Sequence, residues 1–135
     1  MIREYLRSLE SALATSPWIA GVDVKRCDVL ETPCESILVY RFRVRLTDSS
    51  MLEMMERVVF GGEPASMITT TYCFHWQDRE GRLKRRWDNA PHFPRLSGFP
   101  HHIHSGNTTE EVISGESIDG LRVLEYIGRL FGTSL

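Results

Sequence analysis

Ser36-Ile37-Leu38-Val39-Tyr40-Arg41-Phe42-Arg43-Val44-Arg45-Leu46 is the stretch that decides the fold. Successive side chains of a strand point to opposite faces. Leu38, Tyr40, Phe42, Val44 and Leu46 therefore share one face, and Ile37, Val39, Arg41, Arg43 and Arg45 share the other. One face is fit for a core, and the other becomes basic. The stretch thus predicts a strand of a sheet covered on one side only.

Reading outward, Thr32-Pro33 marks a turn that separates this strand from an earlier one over Ala20 to Leu30. On the other side, Asp48-Ser49-Ser50 leads to a third strand, Met51 to Phe60, carrying Glu53 and Arg57 on one side. After Gly61-Gly62-Glu63-Pro64, the residues Ile68, Thr70, Tyr72, Phe74 and Trp76 alternate with Thr69, Thr71, Cys73, His75 and Gln77, giving a fourth strand. Asp78-Arg79-Glu80-Gly81 turns the chain into a fifth, Arg82 to Asp88, with Leu83 and Trp87 opposite Arg82, Lys84, Arg86 and Asp88. The ends are helical. Ile2, Tyr5, Leu6, Leu9 and Leu13 recur at helical spacing until Ser16-Pro17, and Ile118, Leu121, Leu124, Ile127 and Phe131 mark a closing helix with Ser117 as N-cap and Asp119 in its first turn.

These elements predict an α+β domain, an antiparallel sheet of about five strands with the N-terminal and C-terminal helices packed on one face. The 135 residues suit one domain, 1–135. A charged fraction of 25% against 41% hydrophobic places the chain among ordinary globular proteins. Three cysteines without a CxxC pair suggest neither a disulfide framework nor a thiolate zinc site. A reducing cytoplasm, with no membrane or secretion segment, is the expected setting. The net charge of −2 requires any nucleic-acid contact to come from a local basic cluster.

The chemistry gathers in a stretch read as a His/Pro-rich functional loop, 86–104. It holds four of the five histidines and three of the six prolines, and matches neither helical nor strand periodicity. Pro91, Pro94 and Pro100 should hold it extended and folded back over the fifth strand. Imidazole exchanges protons near neutral pH, and guanidinium stabilises a charged phosphoryl group. The candidate catalytic residues are therefore Arg86, Asp88, His92, His101, His102 and His104. Arg41, Arg43, Arg45 and Lys84 are the candidate nucleic-acid contacts, because a row of guanidiniums along one strand suits a phosphate backbone.

The spacing matches neither HExxH nor a Cys/His finger, so no metal or other cofactor is expected. Two other uses of the histidines stay open: metal ligands in a phosphoesterase, or packing that only shapes the loop of a binding module. Glu53 is read as a partner of the arginines, and Cys73, Trp76 and Trp87 as interior residues.

Arg86-Trp87-Asp88-Asn89-Ala90-Pro91-His92, followed by Phe99-Pro100-His101-His102-Ile103-His104, resembles the signature of the TumE-like proteins, toxins of type II toxin–antitoxin modules. The resemblance covers most of the chain. It departs from the pattern where Phe93 replaces a second histidine and Ile103 replaces a basic residue before His104. The resemblance implies growth arrest and a helix-turn-helix antitoxin as partner. Together with the residue chemistry it gives the expectation of a metal-independent ribonuclease acting on RNA, with homodimerisation left open. In that scheme one histidine of the 101 to 104 group is general base, His92 is general acid, and Arg86 with the arginine row binds phosphate. His92 and one of His102 and His104 should then share a cleft with Arg86.

Overall fold

The computed structural model describes residues 1–91, 95, 97–106, 110–115 and 117–132, of which 110–114 are described by backbone alone. Helix α1 (Ile2–Thr15) precedes strands β1 (Ile19–Glu31), β2 (Glu35–Leu46), β3 (Met51–Gly61), β4 (Ser66–Gln77), β5 (Leu83–Asp88), β6 (His102–Gly106) and β7 (Glu110–Ser114), and helix α2 (Gly120–Gly132) follows. The strands form one sheet in sequence order, every neighbouring pair antiparallel. The α+β class is as expected, but among the described residues the sheet has seven strands instead of about five. His102 and His104 belong to β6, and Arg86 to Asp88 belong to β5, so the expected loop 86–104 is strand at both ends. The prolines hid β6, because its five residues follow directly on a run that breaks periodicity. Among the described residues, no helix is long and apolar enough to cross a membrane.

Alternation along β2 holds throughout. Leu38, Tyr40, Phe42, Val44 and Leu46 are buried with Leu52, Met54 and Val58 of β3, Tyr72, Phe74 and Trp76 of β4, and Trp87 of β5. Against that face α1 sets Ile2, Tyr5, Leu9 and Leu13, and α2 sets Val123, Leu124 and Ile127. Each fully buried aliphatic side chain of this kind contributes about 1.5–3 kcal/mol. Two details depart from the sequence reading. A bulge opposite Arg57 and Val58 shifts the phase of β4, so Ile68 is 59% exposed while Thr69 turns inward. The cap of α2 is Asp119, not Ser117, its Oδ1 accepting from the Arg122 N–H at 3.0 Å.

A buried carboxylate ties the two layers together. Glu56, fully buried, accepts hydrogen bonds from Tyr5 of α1 at 2.6 Å, Tyr40 of β2 at 2.7 Å, Thr69 of β4 at 2.7 Å and the Gly120 N–H at 3.2 Å. Gly120 has no Cβ, which would otherwise run into the Tyr40 hydroxyl. That absence lets the first N–H of α2 reach the carboxylate. Burial pushes the Glu56 carboxyl above its ordinary range, while the Tyr40, Tyr5 and Thr69 hydroxyls pull it back down.

Candidate active site

The sheet face opposite the helices carries the site, and strand register assembles it. Glu53 of β3 stands opposite His75 of β4, His75 opposite Arg86 of β5, and Arg86 opposite His104 of β6. The adjacent row on the same face is Cys73, Asp88 and His102. Ile103 lies between the two histidines and packs toward the core, so His102 and His104 must emerge together on the open side.

Asp88 is the hub. Its Oδ2 lies 3.0 Å from Arg86 Nε and 3.7 Å from His104 Nε2, and its Oδ1 lies 2.8 Å from His102 Nε2. Oδ1 accepts a hydrogen bond from the Ala90 N–H at 3.1 Å. His102 Nδ1 is 2.9 Å from the Pro100 carbonyl, which can only accept, so Nδ1 carries a proton there. The two histidine rings meet edge to face with centroids 4.9 Å apart. Ala90 and Pro100 thus clasp the cluster from the two ends of the loop.

Burial grades the cluster. Side-chain exposure is 1% for His102, 4% for Asp88, 11% for His104 and 40% for Arg86. Arg86 and the rim of His104 are thus the exposed part of the cluster, and Asp88 and His102 its buried part. Burial raises the Cys73 thiol, against the pull of the neighbouring Arg86 guanidinium.

The expected site is partly assembled. Arg86, Asp88, His102 and His104 converge, but His101 does not join them: its Nδ1 is 2.9 Å from the Tyr72 hydroxyl and its ring stacks on that of Tyr72. His92 lies outside the described residues. Arg41, Arg43 and Arg45 share the open face, already engaged with carboxylates. Arg43 and Arg41 lie 2.5 and 3.5 Å from Glu53, as expected for Glu53, and Arg45 lies 3.6 Å from Asp23.

Lys84 does not extend this face. Its Nζ sits 4.2 Å from the centroid of the buried Trp76 ring and 3.9 Å from Asp48, because β4 and β5 slip register between Trp76 and Gln77. His75 is the residue that sequence reasoning passed over. Its parity with Cys73 put it on the polar face, but only the register of β4 with β5 sets it beside Arg86. Its Nε2 is 3.2 Å from Gln77 Oε1.

A protein-family model described as toxin TumE matches residues 9–129, a span that includes every residue of this cluster. No curated protein and no solved structure matches the chain.

Proposed function

The chain belongs to the TumE toxin family, and from that premise we propose that it arrests growth by cleaving RNA at this cluster without a metal ion. The observation that carries the reading is the in-register row His75, Arg86, His104 on the open face. Strands lie about 4.8 Å apart, which sets the two imidazoles roughly 9–10 Å apart across the guanidinium. A phosphodiester held on Arg86 is then flanked by one proton acceptor and one proton donor.

In the proposed reaction His104 removes the proton from a ribose 2′-hydroxyl. The 2′-oxygen forms a bond to phosphorus, the bond from phosphorus to the 5′-oxygen breaks, and His75 protonates that leaving oxygen. The products are a 2′,3′-cyclic phosphate and a 5′-hydroxyl. Arg86 neutralises charge growing on the non-bridging oxygens. Asp88 fixes Arg86 and His104 from behind, and His102 fixes Asp88, so these two are positioning residues. A helix-turn-helix antitoxin in the same cytoplasm is the partner this reading implies.

The test is RNA cleavage by purified protein stripped of metal with EDTA. Cleavage should persist after stripping and should be lost in Arg86→Gln. A stripped protein that regains cleavage only on addition of a divalent ion would contradict the reading.

The arginine row gives a second expectation. Arg41, Arg43 and Arg45 changed together to Gln should weaken RNA binding and leave folding intact, since all three lie opposite the buried side chains of β2. Each phosphate left without its arginine should lower the slope of log affinity against log salt by about 0.7 for a single strand. Binding titrations at several salt concentrations check this. An unchanged slope would make the row a set of solvated ion pairs with Glu53 and Asp23.

A further inference from the structure

We propose that Asp88, His102 and His104 form a zinc site whose occupation silences the ribonuclease. This rests on the function proposed above for its effect, though not for the binding itself. The three side chains are buried and offer one ligand atom each, all within 4.8 Å of one another. Two imidazoles and one carboxylate are a donor set that suits zinc.

The Pro100 carbonyl orients His102. Its Nδ1 proton is committed to the Pro100 carbonyl, which leaves Nε2 as the nitrogen turned to Asp88. That is the outer-shell arrangement that fixes the tautomer of a metal-ligating histidine. Nε2 stands 2.8 Å from Asp88 Oδ1, out of line for a hydrogen bond to it. Tetrahedral zinc with bonds of about 2.0–2.1 Å holds its ligand atoms roughly 3.3 Å apart. Opening by about half an ångström therefore admits the ion between them.

Burial decides what the ion does. A catalytic zinc keeps one coordination position open to water or substrate. Here the carboxylate and His102 are 4% and 1% exposed, so an ion among them is enclosed, and it takes the His104 nitrogen out of proton transfer. The ion competes with catalysis.

Binding is measured first, apart from activity. Zinc is titrated calorimetrically into EDTA-stripped, dialysed protein, and cobalt serves as a spectroscopic probe of coordination. One equivalent should bind. Asp88→Asn and His104→Ala should each weaken binding by at least about 100-fold. Arg86→Gln should keep it, because the guanidinium competes for the carboxylate and supplies no ligand. Cleavage by the wild-type protein should fall in step with zinc occupancy and return on chelation. Failure to bind zinc, or binding indifferent to Asp88→Asn and His104→Ala, would overturn the site. Cleavage that rises with zinc would overturn the silencing. If zinc binds as described but stripped protein cleaves no RNA, the ribonuclease reading fails and the metal site stands.

Discussion

His104→Ala should lower the rate of RNA cleavage by about 10²–10⁴-fold, the usual contribution of a positioned acid or base. His75→Ala should cost a similar factor. Both residues flank Arg86 in register, one on β4 and one on β6, and neither belongs to the apolar core. The two variants should differ in one respect. A substrate whose 5′-oxygen is replaced by a better leaving group needs no protonation there, so it should largely restore His75→Ala and leave His104→Ala slow. Single-turnover rates on both substrates, with thermal unfolding as the folding control, measure this. Rescue of both variants, or of neither, would remove the division of roles. Activity of His104→Ala within a few-fold of wild type would remove the row from catalysis altogether.

The second large effect falls on stability. Glu56→Ala should destabilise the protein by roughly 3–5 kcal/mol, since it takes the acceptor from the Tyr5, Tyr40 and Thr69 hydroxyls and leaves a cavity, while the Gly120 N–H keeps only the Tyr5 oxygen. The expected fall in Tm is about 10–20 °C. Glu56→Gln should be far milder. Its carbonyl accepts what Oε1 accepts now, and its amide can donate to the Thr69 hydroxyl. The pH dependence has a definite sign. The Glu56 carboxyl is raised in the folded protein, so its contribution is fully present below the ordinary carboxylate range and is lost as pH rises through the raised value. Urea unfolding across pH should show wild type losing ground to Glu56→Gln as pH increases. A constant difference between the two would mean that the carboxylate is as well solvated folded as unfolded.

How much of this was legible in the sequence depends on how local the signal was. Alternation from Leu38 to Leu46 was local, and it placed both the core face and the arginines correctly. The interior positions of Trp76 and Trp87 were equally readable. Glu56 was not, because its burial follows from four partners spread over both helices and two strands. A charged residue inside a sheet looks like surface until those partners meet.

The site shows the same division. Arg86, Asp88, His102 and His104 were singled out by residue type, and the strands bring their side chains together. Their split from His101 could have been read from His102-Ile103-His104, where an apolar residue between two histidines is strand alternation in miniature. The prolines on the N-terminal side disguised it. His75 was visible as a polar-face residue, but its pairing with Arg86 depends on the register between β4 and β5, which a slip between Trp76 and Gln77 defines. The same slip moved Lys84 to Trp76, against the parity expected of β5. Irregularities of register carry no composition of their own, so they surface only once both strands are in place.

The central claim is that this cluster drives transfer of phosphorus to a ribose 2′-oxygen without a metal ion. It is tested most directly by the ends that EDTA-stripped protein leaves on a defined RNA oligonucleotide, read by mass spectrometry with Arg86→Gln as the control. The account predicts a 2′,3′-cyclic phosphate on one fragment and a 5′-hydroxyl on the other, both missing with the variant. A 3′-hydroxyl with a 5′-phosphate, or an intact oligonucleotide with the wild-type protein, would contradict it.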